Sequence, residues 1–235
     1  MNEASPTLDQ APALPSLRSF AGEGVALLSS VRKRGVDEEA AKGFAGDGRP
    51  VFVLPGFLAS DQSTTRLRRT LEAAGYAAHG WGHGVNFGLS RGLFGRMNEA
   101  ILGFAEEANR PVALVGWSLG GVYARELAKV SPDAVHQVIT LGSPFSGDPR
   151  HNRVWRLYEL IARYPVDKPP IDVRLHEKPP VPTTALWSRR DGVIPADCAR
   201  GAAGEADRAI ELDCRHMDFA SDRRALRAIL AILAR

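Results

Sequence analysis

Cysteine is scarce in this chain of 235 residues, and Cys198 and Cys214 are its only two. A pair cannot build the multi-bridge framework that staples small secreted domains, and in a reducing compartment two free thiols are the default. An excess of charge of one sign is missing as well. The 30 basic side chains nearly balance the 27 acidic ones and leave a formal net charge of +3. So small a surplus gives no reason to expect a polyanionic partner. The arginines at 66, 68 and 69 and at 223, 224 and 227 stand among polar residues and read as solvated helix faces, so no nucleic acid is expected. Long hydrophobic runs are absent too: Val25 to Leu28 is far too short to span a bilayer. Residues Met1 to Asp9 contain Glu3 and Asp9 but no Lys or Arg, which is not the positive start of a signal peptide. The expected compartment is the cytoplasm.

What is present is the balance of an ordinary globular protein, with 44% hydrophobic and 24% charged residues. Residues 1–47 read as an N-terminal arm with Pro6, Pro12 and Pro15, followed by a flanking helix. In that helix Ser16 is the cap, Leu17, Phe20, Ala21, Leu28 and Val31 form one apolar face, and Arg32, Lys33 and Arg34 suit the last turn. The expectation is packing on the domain's flank. A weak membrane-surface contact is the second reading, with little apolar area to support it. The glycine-rich stretch Gly43 to Arg49 leads into a domain over residues 48–235, where strand and helix patterns alternate.

Strands are expected at Val51 to Leu54, Tyr76 to Trp81, Val112 to Gly116, Val135 to Leu141, Thr183 to Trp187 and Ala209 to Leu212. Helices are expected at Leu67 to Ala74, Asn98 to Ala108, Leu119 to Val130 and Arg223 to Leu233. Six apolar strands separated by helices imply an α/β fold with a mostly parallel sheet covered on both faces. Residues 146–180 break the rhythm, with a helical run at Val154 to Tyr164 and then six prolines up to Pro182. A connection this long is usually functional, and 146–180 is a candidate lid. Trp155, Leu157, Tyr158, Leu160 and Ile161 would offer it an apolar face; simple packing on the sheet is the equal alternative.

The chemistry concentrates in Gly116-Trp117-Ser118-Leu119-Gly120-Gly121, a G-x-S-x-G pattern lying between a strand and a helix. A strand that turns this sharply into a helix tolerates only small residues two positions either side of the serine, and it pushes the hydroxyl out at the carboxyl end of the sheet. Serine is a weak nucleophile at neutral pH and needs a base that is itself oriented by an acid. Asp191 follows one expected strand and His216 another, in the order serine, acid, histidine, at the sheet edge where Ser118 emerges. Asp197, Asp213 and Asp218 are the competing acids; His136, His151 and His176 are the competing bases. Leu54-Pro55-Gly56-Phe57-Leu58 ends the first strand, and Gly56 would let the N–H of Phe57 approach a substrate carbonyl. The N–H of Leu119 would be the second donor of an oxyanion hole. Gly56, Leu58 and Trp117 flank these groups and are the expected substrate contacts.

Through these motifs, with Leu141-Gly142-Ser143-Pro144-Phe145 and Arg190-Asp191-Gly192 beside them, the sequence resembles bacterial α/β-hydrolase esterases and lipases from about Pro50 onward. The resemblance implies hydrolysis of a small-molecule or lipid-like carboxylic ester through an acyl-enzyme, with no cofactor and no metal. Acyl transfer, thioester cleavage and non-catalytic ligand binding are the alternatives. The chain departs from many lipases in having Pro55-Gly56 where they carry His-Gly. It also lacks the antiparallel start of larger members. Two lesser features remain. His79-Gly80-Trp81-Gly82-His83-Gly84 has no acidic or cysteine ligand beside it and reads as a loop near the site's rim. Cys198 and Cys214 follow and precede the acid and base loops, so a disulfide bracing the two is an open alternative to free thiols. The oligomeric state is not legible.

Overall fold

The structure is a computed structural model that describes residues 14–16, 18–24, 35–152 and 154–235. Six strands, β1 (Pro50–Leu54), β2 (Ala77–Gly80), β3 (Val112–Trp117), β4 (Val135–Leu141), β5 (Thr183–Trp187) and β6 (Arg208–Glu211), form one sheet. Every neighbouring pair is parallel, and the spatial order is β2-β1-β3-β4-β5-β6. β1, β3 and β5 are buried along their whole length, which is why β1 and β3 read as near-continuous apolar runs. The outer strands β2 and β6 are only partly covered, and β6 carries Arg208 and Glu211 on its exposed positions.

Alternate residues of each strand point to opposite faces and so build two cores. Val51, Val53 and Val115 pack with Leu67 and Leu71 of α2 (Thr65–Ala73) and with Leu226, Ile229 and Leu230 of α7 (Arg223–Leu233). The short helix α1 (Glu38–Ala41) adds Ala40 and Ala41 to this layer. Phe52, Leu54, Leu114 and Val138 pack on the other side with Met97 and Ile101 of α3 (Arg91–Ala108) and with Tyr123 and Leu127 of α4 (Leu119–Val130). From β1 the chain steps outward to β2 and then returns to β3 on the opposite flank of β1. Such a reversal opens a crevice at the carboxyl ends of the two strands, where ligands of parallel sheets bind.

Several boundaries differ from the sequence expectation. α3 begins seven residues before Asn98, because Ser90 caps it by accepting a hydrogen bond from the Leu93 N–H at 3.1 Å; Gly92 and Gly95 hide that start in the sequence. β6 lies one residue earlier than expected, and β2 is two shorter. The long connection before β5 carries α5 (Trp155–Ala162), and α6 (Ala196–Arg200) follows β5. Near the N-terminus, residues 18–24 are helical, and Ser16 caps them through the Ser19 N–H at 3.1 Å. Leu17, Leu28, Val31, Arg32, Lys33 and Arg34 lie outside the described residues. The expected apolar face is not the one this segment buries: Phe20 is 40% exposed and Ala21 is exposed, whereas Glu23 is 3% exposed. No helix among the described residues is long and apolar enough to cross a membrane.

Candidate active site

Three segments converge at the crevice: the turn after β3, the loop after β5 and the loop after β6. In the first, Ser118 adopts φ 54° and ψ −122°, a region that costs an L-residue about 1–3 kcal/mol and persists only where the surroundings enforce it. The enforcement is steric. A Cβ on Gly116 would sit 2.3 Å from the carbonyl oxygen of Gly120, and one on Gly120 would sit 2.4 Å from that of Leu54. The Ser118 N–H donates to the Leu141 carbonyl at 2.8 Å, pinning the turn to the end of β4. Ser118 is thus held at the N-terminus of α4, where partial positive charge favours a developing anion.

Asp191 and His216 are brought together and are almost fully enclosed, at 4% and 2% exposure. The Nδ1 of His216 lies 2.7 Å from Asp191 Oδ2, while Asp191 Oδ1 accepts from the N–H groups of Val193 and Ile194, both at 2.8 Å. Burial acts to lower the imidazole's pKa, but the charge and hydrogen bond of Asp191 and the charge of Glu23 outweigh it and hold the group above its ordinary 6.5. The carbonyl of His216 accepts from Trp117 Nε1 at 3.1 Å, tying the loop after β6 to the residue before Ser118. Ser188 Oγ donates to the Cys214 carbonyl at 2.7 Å and joins the acid and base loops directly. Among the described residues, no hydrogen bond joins the Ser118 hydroxyl to His216.

The amides of Phe57 and Leu119 form no turn or capping hydrogen bond among the described residues, so both are free to donate. The loop that presents Phe57 is organised by Asn86, a fully buried residue. Asn86 Nδ2 donates to the Pro55 carbonyl at 3.0 Å, its backbone carbonyl accepts from Leu58 N–H at 2.8 Å, and its own N–H donates to Ala59 at 2.8 Å. Its Oδ1 accepts from Gly88 N–H and from the Tyr123 hydroxyl on α4, at 3.1 and 3.2 Å. Leu58 sits at φ 58° in this loop. Nothing in the local sequence marks Asn86, because most of its partners are backbone groups and the one side chain among them, Tyr123, comes from α4.

Ser118, Phe57 and Leu119 open onto a cavity of about 490 Å³, walled mainly by apolar side chains such as Val122, Pro144, Trp155, Tyr158 and Ile194. Residues from 149–152 and 154–177 form its roof, with Tyr158 packed edge-on against Phe57 at 5.1 Å between ring centres. Of the face expected on the candidate lid, Trp155 and Tyr158 do line the cavity. Leu157 and Leu160 instead point outward, 45% and 76% exposed. Three expected substrate contacts are not part of the wall. Gly56 backs the nucleophile, since a Cβ there would lie 3.1 Å from that of Ser118. Trp117 is buried with its indole committed to His216, and Leu58 is 43% exposed. The buried guanidinium of Arg125 on α4 donates to the Glu205 carbonyl at 2.9 Å and to those of Leu175 and Glu177 at 3.2 Å, and it lies over the Phe145 ring.

Three of the competing groups are engaged elsewhere. Asp197 pairs with Arg200, Asp213 with Arg190 and Arg224, and His176 with Glu205. His79 belongs to β2 and stacks on Phe104 at 3.9 Å, and His83 packs edge-on against Trp81. Cys198 and Cys214 are free and buried, and they join different clusters: Cys198 packs with Trp187 and Ile194, Cys214 with Phe219 and Leu226. Burial pushes the Cys198 thiol up to about 11 and raises that of Cys214 as well, so neither is a ready nucleophile.

Residues 97–179 match the family model of the PGAP1-like alpha/beta domain. No curated protein sequence matches the chain. Among solved structures, a metagenome-derived lipolytic enzyme of the LipS and LipT pair superposes with TM-score 0.59 and 18% identity, covering 81% of this chain and 95% of its own. MGS-MChE2, an alpha/beta hydrolase enzyme from the metagenome of lagoon sediments at Mar Chica, Morocco, gives 0.55 and 20%, covering 80% and 91%. The thioesterase domain from the curacin biosynthetic pathway gives 0.52 and 15%, covering 80% and 92%. The chain has the α/β-hydrolase fold.

Proposed function

We propose that the chain is a serine hydrolase that cleaves carboxylic esters, with Ser118 as nucleophile, His216 as general base and Asp191 as its orienting acid. The observation that carries this reading is the buried 2.7 Å Asp191–His216 pair beside a serine held in a strained turn on the cavity wall. On substrate binding the Ser118 hydroxyl closes on the free ring nitrogen of His216; such hydrogen bonds often tighten only in the loaded enzyme. Ser118 Oγ then bonds to the ester carbonyl carbon while its proton passes to His216. The carbonyl electron pair moves onto oxygen, where the Phe57 and Leu119 amides stabilise it; one such donor is commonly worth about 2.7–4 kcal/mol. Collapse of this intermediate breaks the bond to the alcohol, which leaves with the proton from His216. Water repeats the sequence on the acyl-enzyme and frees the acid and Ser118. Asp191 keeps the imidazole in the required tautomer throughout.

The apolar wall suits the acyl group. A reducing compartment such as the cytoplasm fits the two buried free thiols. The test is hydrolysis of p-nitrophenyl acyl esters of increasing chain length by the wild type and by Ser118→Ala, with fluorophosphonate labelling in parallel. The wild type should label and turn over, and Ser118→Ala should lose both, with kcat down about 10⁶-fold. Equal rates in the two proteins end this reading. Faster release from acyl thioesters, or acyl transfer to an added alcohol, would keep the triad and change the substrate.

A further inference from the structure

Glu23 is a buried acid that the proposed reaction does not use. Its carboxylate, 3% exposed, comes from the helical residues 18–24, outside the sheet and its loops. Oε1 accepts from the Gly192 N–H at 2.7 Å and from the His216 N–H at 3.0 Å, and Oε2 accepts from the Met217 N–H at 3.0 Å. Gly192 follows the acid Asp191 in the chain, and His216 is the base. A buried carboxylate without adequate partners is costly, and three backbone donors satisfy this one. The approach is close: a Cβ on Gly192 would lie 2.5 Å from the Ser19 carbonyl oxygen and 2.9 Å from Glu23 Cγ, so only glycine admits the helix there.

We infer that Glu23 is a positioning residue, a carboxylate brought in from the N-terminal helix to lock the acid loop onto the base loop and fix the direction in which the imidazole is aimed. The inference rests on the catalytic reading of Ser118, Asp191 and His216. Its physical basis is that the two loops are 25 residues apart in sequence yet must hold a hydrogen bond of 2.7 Å. Glu23 grips both main chains at the residues that set this distance. It also acts through charge. The charged groups that act on the imidazole are Asp191 from the β5 loop and Glu23 from the N-terminal helix; Arg215 and Asp218 flank it in the sequence of its own loop. Against the lowering effect of burial, Asp191 and Glu23 raise the imidazole's proton affinity. The base must be neutral to accept the serine proton, so removing the Glu23 charge moves the acidic limb of kcat/KM to lower pH.

The experiment uses the full chain and compares wild type, Glu23→Gln, Glu23→Ala and Ser118→Ala on p-nitrophenyl butyrate across pH, with thermal melting and fluorophosphonate labelling rates. Glu23→Gln keeps an oxygen acceptor for Gly192 and His216 but loses the charge, so its acidic limb should shift downward with KM unchanged. Glu23→Ala loses all three acceptors; its kcat should fall about tenfold to a hundredfold, with slower labelling of Ser118 and a KM near that of the wild type. Should the alanine variant fail to fold, the glutamine profile alone decides. A glutamine profile that superimposes on the wild type overturns the inference, provided Ser118→Ala is inactive. Activity surviving in Ser118→Ala overturns the catalytic reading, and the role of Glu23 with it.

Discussion

The two sides of the candidate site are held by different kinds of force. On the side of the proposed nucleophile, Ser118 is placed by excluded volume, with Gly116 and Gly120 letting β3 and α4 meet at a turn that no larger residue would permit. On the acid–base side, Asp191 and His216 sit on two loops whose geometry comes from polar bonds: Ser188 to Cys214, Trp117 to His216, and Glu23 to both loops. Excluded volume does not titrate and does not yield to solvent. Polar bonds depend on charge and can loosen. On the proposed reading, the first arrangement sets whether a nucleophile is presented at all, and the second sets how well its proton is removed.

Among changes that leave Ser118 in place, the largest effect should come from the polar side. Asp191→Asn leaves the packing intact but removes the acceptor that selects the productive imidazole tautomer, and kcat should fall about 10⁴-fold with the circular dichroism spectrum unchanged. Wild-type kcat/KM should rise with pH through an acidic limb lying above 6.5, because neutral His216 is the active form and its pKa is raised. A limb below that value would mean that burial, rather than Asp191 and Glu23, dominates the imidazole. On the steric side, Gly120→Ala drives a Cβ to 2.4 Å from the Leu54 carbonyl oxygen, an atom of β1 that cannot swing away. It should destabilise the fold by about 3 kcal/mol, read from chemical denaturation. A well-folded, active Gly120→Ala protein would show that the turn is less constrained than its geometry implies. Arg190→Ala is the smallest case. Arg190 adjoins Asp191 in the chain, yet its partner Asp213 is at the surface and both side chains are over half exposed, so less than about 1 kcal/mol and no kinetic change are expected.

The same division explains which features were legible in the sequence. β4, β5, α4 and α7 lie where the pattern places them, because β4, β5 and α4 are largely buried and α7 keeps a clean amphipathic period. The tight turn at Ser118 is likewise written locally, in glycines at fixed offsets. The start of α3 was hidden by Gly92 and Gly95, whose low helix propensity is outweighed by the Ser90 cap and by burial of Leu93 and Met97. Glu23 and Asn86 could not be found in this way. Each bonds mostly to backbone groups distant in sequence, and a backbone partner leaves no residue type behind. Glu23 also misleads actively, since an acidic side chain near a chain's start ordinarily belongs to a solvated face.

Arg125 joins the roof of the cavity to the helix that begins at Ser118. Two of its three donated bonds go to Leu175 and Glu177 on the cavity wall and the third to Glu205, and among the described residues the earlier part of the roof, around α5, has no such tether to α4. Exchange of residues between 150 and 170 can accordingly reshape the space for an acyl chain while the nucleophile's helix stays in register. Alteration nearer Leu175 would transmit to that helix. Selectivity and nucleophile geometry are separable on one half of the roof and linked on the other.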